Sequence, residues 1–371
     1  MTHSLHIIGS RQLGGAETFF ARLVTALAER GHPVTAVVRP RAPVRDLLPT
    51  GVPVYPVALA NNWDPASRLR IRALVRRLRP DVVQTYMGRA TRLTRLGPGD
   101  PPHVARLGGY YRLGPYRHAD AWVGNTRGIR DYLREYGLPP GRIFHITNCL
   151  EPPPPPGPEE TGALRGELGI PEGAWVVGAV GRLQRKKGFD TLLDALARLP
   201  ERLAGRPVFL VIAGDGPEAG SLRRQAGALG VAGRVRWAGH RSPPGTVYAL
   251  AHIVAVPSRH EPLGNVILEA WAHRRPVLAT RTHGAEELLT PGETGHLVPP
   301  DDPEALAAGL RRLLEAPEPT RAALAEAGFG ALRRTHGADA VCAAYESLYA
   351  ELRRQGKRRR PARPLGATPG S

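Results

Sequence analysis

Two glutamates flank a predicted helix start in the segment PSRHEPLGNVILEA, which spans residues 257–270. Glu261 lies in a loop after the predicted strand AHIVAVPS, and Glu269 lies in the helix that follows. The first N–H groups of that helix suit a diphosphate, because a helix N-terminus attracts anions. Glu261 could accept hydrogen bonds from sugar hydroxyls, and Glu269 could bind a ribose diol. Two surface glutamates on a strand-loop-helix unit would give the same pattern. The helix N–H groups that would bind the diphosphate are those of Gly264, Asn265 and Val266.

A second group of candidate residues is basic and lies in VGRLQRKKGFD, directly after the first predicted strand of the second half. In open parallel sheets, ligands bind at the carboxyl ends of the strands. Cations at that edge could stabilise a nucleoside diphosphate that gains negative charge as it leaves. We assign this role to Arg182 and Lys187, and we expect Arg185 and Lys186 to be solvated. A basic loop that binds no ligand is the alternative.

Glycines near the N-terminus form a third candidate site. Gly14 and Gly15 stand between the first predicted strand and the first predicted helix in GSRQLGGAE. Glycine at such a turn allows the backbone to approach a ligand closely. The pattern is not GxGxxG, and the geometry of the turn alone would explain a glycine pair equally well.

Alternating strands and helices must position these residues. LHIIGS predicts a buried strand, and GGAETFFARLVTALAERGHPVTAVV predicts a glycine turn, an amphipathic helix and a second strand, which together form a β-α-β unit. A helix at 68–80 carries Ile71, Leu74, Val75 and Leu78 on one face and arginines on the other. The second half repeats the alternation with short apolar strands, as in a parallel sheet covered by helices on both faces.

A proline run in LEPPPPPGPEE separates the two halves and predicts an extended connector. The last apolar periodicity predicts a terminal helix, and the basic segment after it has none. The predicted organisation is an N-terminal domain at 1–149, a linker at 150–160, a C-terminal domain at 161–330, a C-terminal helix at 331–352 that packs back toward the N-terminal domain, and a disordered basic tail at 353–371.

Composition narrows the class of protein. Two cysteines, Cys149 and Cys342, are too few for a disulfide framework or a zinc site, which is typical of a reducing compartment. The N-terminus has no signal-peptide pattern, and no apolar run is long enough to span a bilayer. We therefore expect a cytoplasmic protein.

The net charge of +18 is distributed unevenly along the chain. Residues 1–150 carry 22 arginines, no lysine and nine acids, and the segment from 353 adds seven basic residues and no acid. This excess indicates an anionic partner, such as the inner face of a membrane or a phosphorylated or lipid-linked saccharide, and an arginine-biased composition would explain it equally well. Nucleic acid is not expected, because no reading module is recognised and aromatic residues make up only 6% of the chain.

Five segments in order resemble the large family of retaining glycosyltransferases called family 4, or group 1. They are GGAETFFARLVTALAERGHPV, VGRLQRKKGFDTLLDALARL, VIAGDGP, PSRHEPLGNVILEAWA and GETGHLVPPDDPEALA. The resemblance implies a GT-B fold, with two Rossmann-like, doubly wound parallel-sheet domains that face each other across a cleft. It also implies a nucleotide-sugar donor on the C-terminal domain and a saccharide or lipid-linked acceptor on the N-terminal domain, as in lipopolysaccharide or other cell-surface polysaccharide synthesis. Retention of the anomeric configuration and the absence of a metal or other cofactor are implied as well.

Single residues of this sequence match the family's motifs. Arg182 and Lys187 match the diphosphate-binding pair, Glu261 and Glu269 match the Glu-x7-Glu motif, and Gly15 matches the glycine near the donor phosphates. The resemblance therefore implies that Arg182, Lys187 and Glu261 are catalytic. The implied donor-binding residues are Gly14, Gly15, Arg182, Lys187, Gly264, Asn265, Val266 and Glu269.

The sequence departs from the family pattern on the acceptor side. Family members often carry a histidine after the strand that corresponds to VARL, and this chain has none at that place. His118 is a nearby candidate, and its position also suits the start or cap of a helix. Gln84 and Tyr86 stand where histidines are frequent, and Cys149 follows Asn148 where glycine is common. No carboxylate of the first domain stands out as a nucleophile. With the retention that the resemblance implies, this favours front-side attack, in which the leaving phosphate helps to deprotonate the acceptor hydroxyl; this hypothesis comes with the family.

Other functions stay open at this stage. The same fold could carry another reaction on nucleotide sugars, although no cofactor lysine of a phosphorylase is identified. A basic nucleic-acid- or membrane-binding protein without catalysis is a further alternative. A degenerate scaffold of the same fold is disfavoured because all four motif side chains are present. Motifs do not determine the donor, the acceptor, the linkage or the oligomeric state, since one hydrogen bond can discriminate between two sugars.

Overall fold

Each half of the chain builds a parallel β-sheet covered by helices. The computed structural model describes residues 1–241 and 243–355. One unit comprises Met1–Asn125, Ile129–Ile146 and the chain from Cys342 onward, and the other comprises Thr126–Gly128 and Thr147–Val341.

Seven parallel strands form the sheet of the first unit, in the order β3-β2-β1-β4-β5-β6-β7. The order reverses between β1 and β4, which is the position where ligands bind in doubly wound folds. The strands are β1 (Ser4–Ile8), β2 (Val34–Val38), β3 (Val54–Pro56), β4 (Val82–Tyr86), β5 (His103–Leu107), β6 (Ala121–Gly124) and β7 (Ile143–His145). The helices are α1 (Gly15–Glu29), α2 (Pro65–Leu78), α3 (Met87–Leu93) and α4 (Arg127–Glu135), with 3-10 turns at Pro43–Leu47 and Pro140–Arg142.

The predicted amphipathic helices of the first unit are confirmed. In α2, Ile71, Leu74 and Val75 are buried against the sheet. The side chain of Asp64 caps the helix by accepting a hydrogen bond from the backbone N–H of Ser67 at 3.0 Å. The apolar periodicity therefore buries one face of the helix and leaves its arginines on the other.

The second unit has the same winding as the first. Its strands run in the order β11-β10-β8-β12-β13-β14, and β9 pairs with the edge of β10 in the antiparallel direction. The strands are β8 (Trp175–Val180), β9 (Arg202–Leu203), β10 (Arg206–Ala213), β11 (Val235–Gly239), β12 (Ile253–Val256), β13 (Val277–Thr280) and β14 (His296–Val298). The helices are α5 (Pro158–Glu167), α6 (Phe189–Arg198), α7 (Ala219–Ala228), α8 (Gly245–Leu250), α9 (Asn265–Ala272), α10 (His283–Leu288), α11 (Pro303–Glu315) and α12 (Glu318–His336), with 3-10 turns at Arg185–Lys187 and Ala232–Arg234. The predicted pair of doubly wound parallel sheets is confirmed.

The end of the chain differs from the prediction of a single helix at 331–352. Residues up to His336 belong to α12, and a separate helix α13 (Ala338–Gln355) begins after Gly337. Because α13 extends to Gln355, residues 353–355 are helical and do not belong to a disordered tail, and Arg353 forms an ion pair with Asp81 at 3.5 Å. The remaining tail residues, 356–371, lie outside the described residues.

The apolar periodicity that predicted a terminal helix is confirmed. Val341, Tyr345, Leu348 and Leu352 are all buried. The hydroxyl of Tyr349 donates a hydrogen bond at 2.7 Å to the Gln84 side chain in β4, so this helix is part of the first unit.

The proline-rich linker is shorter than predicted. Helix α5 begins at Pro158, inside the segment predicted as extended up to residue 160. Proline suits the first turn of a helix because the N–H that it lacks has no partner there.

Among the described residues, no helix is long and apolar enough to cross a bilayer.

We predict opposite effects from two glycine-to-alanine substitutions in helices of the second unit. A Cβ at Gly328 in α12 would lie 2.3 Å from the buried ring of Trp271 in α9, whereas nothing lies within 4 Å of a Cβ at Gly227 in α7. Gly328→Ala should destabilise the protein by about 1–3 kcal/mol through overpacking. Gly227→Ala should stabilise it by about 0.5–1 kcal/mol, because alanine is the better helix former. Melting temperatures measured by calorimetry check both, and an unchanged Gly328→Ala variant would contradict the close packing of α9 and α12.

Candidate functional site

The carboxyl ends of three neighbouring strands meet at one edge of the second sheet. In the order β10-β8-β12, each strand runs parallel to the next. The loops that follow them occupy residues 214–218, 181–188 and 257–264. Because carboxyl ends of adjacent parallel strands share one edge, side chains from all three loops can act on one ligand.

Glycines allow these loops to touch. Gly188 has a φ of +66°, and a Cβ at this position would lie 1.9 Å from the carbonyl oxygen of Pro257. A Cβ at Gly214 would lie 1.9 Å from the carbonyl oxygen of Gly181. The loop after β8 is therefore packed between the loops after β10 and β12, and no side chain fits at these two contacts.

Arg259 binds the loop after β12 to the loop after β8 and the start of α6. Its guanidinium donates two hydrogen bonds of 2.7 Å to the carboxylate of Asp190 and one of 2.6 Å to the carbonyl of Arg185. The backbone N–H of Arg259 also donates to the carbonyl of Lys186 at 2.9 Å. Partial burial opposes ionisation of Asp190, but the hydrogen bonds and charge of Arg259 prevail and lower its pKa. A bidentate pair of this kind fixes geometry as well as charge.

Lys187 and Glu261 form an ion pair across the two loops. The Nζ atom of Lys187 donates to Oε2 of Glu261, and both side chains are largely buried, with exposed fractions of 17% and 15%. Carbon atoms of the Lys187 side chain lie 3.9–4.0 Å from the Cβ position of Gly181. The structure thus brings together two residues that the sequence analysis singled out, 74 positions apart in the chain.

Arg182 lies in the same loop with its side chain in solvent. Among the residues that the structure describes, nothing forms a hydrogen bond or an ion pair with its guanidinium. Arg185 and Lys186 are also exposed, which confirms the expectation that they are solvated. Arg182 is thus available to an incoming anion.

Helix α9 begins at this edge with open N–H groups. Gly264 precedes the helix with a φ of +96°, a left-handed conformation that favours glycine, and no side chain caps the helix. In the described part of the chain, the N–H groups of Gly264, Asn265 and Val266 have no acceptor. The Asn265 side chain instead accepts a hydrogen bond of 2.6 Å from Asn148. A helix start with open N–H groups is suited to an anion.

Glu269 lies one turn further along α9 and is oriented by a buried tyrosine. The hydroxyl of Tyr248 in α8 donates a hydrogen bond of 2.7 Å to Oε2 of Glu269. Burial, together with the negative charge of Glu269, raises the pKa of Tyr248, so that its hydroxyl stays a donor. Glu269 is only partly buried, and its carboxylate is therefore held in position without being enclosed.

The remaining candidates lie in the first unit. Gly14 and Gly15 are exposed at the N-terminus of α1, and Gly14 has an extended backbone with a φ of −161°. No helix begins at His118, which corrects that expectation; the residue lies in a turn before β6. Its Nε2 atom is 2.9 Å from the carbonyl oxygen of Thr94. Because it precedes β6, His118 lies at the amino edge of the sheet, opposite the carboxyl ends of the strands.

Three residues of the site carried no assignment from sequence alone: Arg259, Tyr248 and Asn148. Arg259 stands two positions before Glu261 in the quoted motif, and its position in that motif was the available signal. Tyr248 and Asn148 are distant in sequence from the residues that they contact, so their roles depend on the fold. No cluster of three or more histidine, cysteine, aspartate or glutamate residues that could hold a metal ion is present within 1–241 and 243–355.

Two family profiles match the chain in this order. The profile of glycosyltransferase family 4 matches residues 13–152, and that of glycosyl transferases group 1 matches residues 161–330. Together they cover most of both units, and the second includes the three loops after β8, β10 and β12.

Relatives and solved structures agree with these profiles. The lipopolysaccharide core biosynthesis glycosyltransferase LpsE of Rhizobium meliloti (strain 1021) is 36% identical over 341 residues, which cover 91% of this chain and 96% of the relative. LpsD of the same organism, another lipopolysaccharide core biosynthesis glycosyltransferase, is 31% identical over 91% of this chain and 95% of its own length. The crystal structure of Anabaena Alr3699/HepE in complex with UDP and glucose superposes with a TM-score of 0.80 at 21% identity, over 95% of this chain and all of that one. The chain therefore belongs to glycosyltransferase family 4, or group 1, and is a glycosyltransferase with the GT-B fold.

Proposed function

We propose that this glycosyltransferase moves a sugar from a nucleoside diphosphate to a saccharide or lipid-linked acceptor during the synthesis of lipopolysaccharide or another cell-surface polysaccharide. Two relatives that match along nearly the whole chain are named for lipopolysaccharide core biosynthesis, and Anabaena Alr3699/HepE, which has the same fold, was crystallised in complex with UDP and glucose. These relatives support the substrate class. We assign the donor to residues 161–330 and the acceptor to residues 1–149, with the reaction in the cytoplasm.

The observation that carries this proposal is the ion pair of Lys187 and Glu261 beside the open start of α9. A cation, an acceptor of hydroxyl hydrogen bonds and a row of N–H groups are the three partners that a nucleoside diphosphate sugar requires. In the absence of a ligand, Lys187 and Glu261 neutralise each other. A bound donor would supply phosphate oxygens to Lys187 and sugar hydroxyls to Glu261.

Each site residue then has a proposed role. Arg182 and Lys187 bind the diphosphate and stabilise the charge that it gains on leaving. Glu261 accepts hydrogen bonds from the transferred sugar, and Glu269 accepts them from the ribose diol. Backbone groups of Gly264, Asn265 and Val266 contact the phosphates. The reaction uses no metal ion or other cofactor.

The proposed mechanism retains the anomeric configuration through front-side attack. The acceptor oxygen attacks the anomeric carbon on the face from which the phosphate departs. The bond between that carbon and the phosphate oxygen breaks, and a phosphate oxygen takes the hydroxyl proton. The released nucleoside diphosphate keeps the bonding electrons, so that the positive charges of Arg182 and Lys187 matter most in the transition state.

We predict that Arg182→Ala and Lys187→Ala lower turnover much more than donor affinity. The expected loss in kcat is about 100-fold or more, as for the removal of one donor to a developing anion. Steady-state kinetics with the cognate donor give kcat, and calorimetric titration gives the donor Kd. Lys186→Ala is the matched control, because this exposed lysine lies in the same loop. Equal losses in kcat and in donor affinity would count against transition-state stabilisation.

A donor panel tests the site and identifies the nucleotide sugar. We expect one of the UDP-, GDP- and ADP-sugars to raise the melting temperature and to be hydrolysed slowly in the presence of EDTA. Glu269→Ala should weaken binding of that donor about tenfold, and Tyr248→Phe by a smaller factor, because it only loses the hydrogen bond that orients Glu269. A response to no nucleotide would contradict the proposed function, and activity that EDTA abolishes would contradict metal independence.

We further propose that α2 contacts an anionic membrane surface. The helix contains no acidic residue, and its exposed side carries Leu69, which is 70% exposed, close in sequence to Trp63, which is 69% exposed. The guanidinium of Arg92 stacks on the Trp63 ring at 3.9 Å. Apolar side chains among cations suit the interface of a bilayer with anionic lipids. The exposed arginines of the helix are Arg70, Arg72, Arg76 and Arg77.

Vesicle flotation with the full chain checks this surface. Wild type should float with phosphatidylglycerol vesicles and remain unbound to phosphatidylcholine vesicles. The double variant Arg72→Glu/Arg76→Glu should lose most of the binding, whereas Arg223→Glu/Arg224→Glu, an equal charge change on α7, should retain it. Binding to both vesicle types, or to neither, would rule out an electrostatic membrane contact.

A further inference from the structure

Three arginines follow three neighbouring strands of the first sheet. Arg11 lies after β1, Arg39 directly follows β2, and Arg89 lies in the first turn after β4. These strands are adjacent in the sheet and include the point where the strand order reverses. A cavity of ≈570 Å³ opens at this edge. Arg11 and Arg89 line it, together with Ser10, Gln12, Asn62 and Met87.

Two of the guanidinium groups converge on one carbonyl oxygen. Nη1 of Arg39 lies 2.5 Å from the carbonyl oxygen of Leu59, and Nη1 of Arg89 lies 3.4 Å from the same atom. Arg89 also reaches the carbonyl oxygen of Gly9 at 3.5 Å. Backbone carbonyls thus hold the guanidinium groups of Arg39 and Arg89 at this edge of the sheet.

Their charge is neutralised only in part. Among the described residues, no carboxylate forms an ion pair with Arg11, Arg39 or Arg89. Burial and the positive charges of Arg11 and Arg89 lower the pKa of Arg39, and the charge of Asp64 offsets this only in part. The carboxylate of Asp64 is itself occupied by hydrogen bonds from the backbone and side chain of Ser67. Arg39 is buried, Arg89 is partly buried and Arg11 is exposed. Like charges held close together repel each other, and a bound anion would relieve this repulsion.

The backbone around the cavity is strained at two bulky residues. Leu59 has a φ of +44° and Met87 a φ of +65°, in the left-handed region that such residues rarely adopt. Leu59 presents its carbonyl to the two arginines, and Met87 lines the cavity. Strain of this kind is concentrated at ligand sites, where the surrounding structure maintains it.

We infer that the cavity beside Arg11, Arg39 and Arg89 binds a phosphomonoester carried by the acceptor. Arg11 and Arg89 line the cavity, and the buried Arg39, which shares the Leu59 carbonyl with Arg89, adds a third positive charge nearby. Such a group of cations matches a phosphate of charge close to −2 better than a carboxylate of charge −1, and guanidinium groups bind phosphate oxygens in a bidentate manner. The inference rests on the proposed function, because it names the acceptor's chemistry. It places that phosphate in the first unit, after β1 and β4.

Calorimetric titration with three small probes tests the site. Glucose 6-phosphate, glucuronate and glucose share one ring and differ in their charged group. We expect glucose 6-phosphate to bind at millimolar concentrations or below, glucuronate more weakly and glucose not measurably. Each titration is repeated with saturating UDP, which fills the proposed donor site. Binding of glucose 6-phosphate should persist with UDP present.

Variants locate the binding site. Arg11→Gln and Arg89→Gln should each weaken glucose 6-phosphate binding about tenfold, the loss expected for one hydrogen bond to a charged group. Arg45→Gln, an exposed arginine of the same unit, should bind it like wild type. Melting temperature and UDP affinity show whether each variant is folded. Arg89→Lys, which keeps the charge but loses the planar fork, should fall between wild type and Arg89→Gln.

The outcomes separate this inference from the proposed function. If UDP and a nucleotide sugar bind but glucose 6-phosphate does not, the phosphate subsite is wrong and the proposed function stands. Displacement of glucose 6-phosphate by UDP, or equal affinity for glucuronate, would also overturn the subsite. If glucose 6-phosphate binds at the arginines while no nucleotide binds, the proposed function fails and the site must serve another reaction.

Discussion

Arg259 binds the carboxylate of Asp190 and the carbonyl of Arg185, and these contacts fix the loop after β12 against the loop after β8. Lys187 and Glu261 project from these two loops, so their separation depends on this arginine. The contact is possible only because Gly188 leaves room for the carbonyl oxygen of Pro257. The hydrogen bonds of Arg259 therefore hold the two loops together, and Gly188 permits their close approach.

The rest of the donor edge is held by packing around α9. Trp271 is buried against Gly328 of α12, and Tyr248 orients the carboxylate of Glu269 by a hydrogen bond. The helix start itself is left open, with Gly264 in a left-handed conformation and no capping side chain. Rigid supports around an unsatisfied helix start are what an anion-binding site requires, because the cost of ordering the groups is met during folding.

The arginines of the first unit fall into groups with different environments. Those of α2 face solvent next to exposed apolar side chains, whereas Arg39 is buried directly after β2. Net charge alone cannot distinguish these groups, because a count of arginines contains no information on burial. The environments do distinguish them, since an exposed cation is screened by water and ions while a buried one needs a partner.

Local sequence determined much of this protein. Apolar periodicity predicted the alternating strands and helices, because short-range patterns decide which face of each element is buried. The resemblance to the family implied that Lys187 and Glu261 serve the same reaction. The division of residues 331–352 between α12 and α13 and the start of α5 at Pro158 were not predicted, since helix ends depend on what the backbone contacts. Only the tertiary structure revealed the hydrogen bonds of Arg259, the contact between Tyr248 and Glu269 and the convergence of Arg39 and Arg89 on Leu59. These contacts join residues far apart in the chain, and their geometry is set by how the sheet brings its carboxyl ends together.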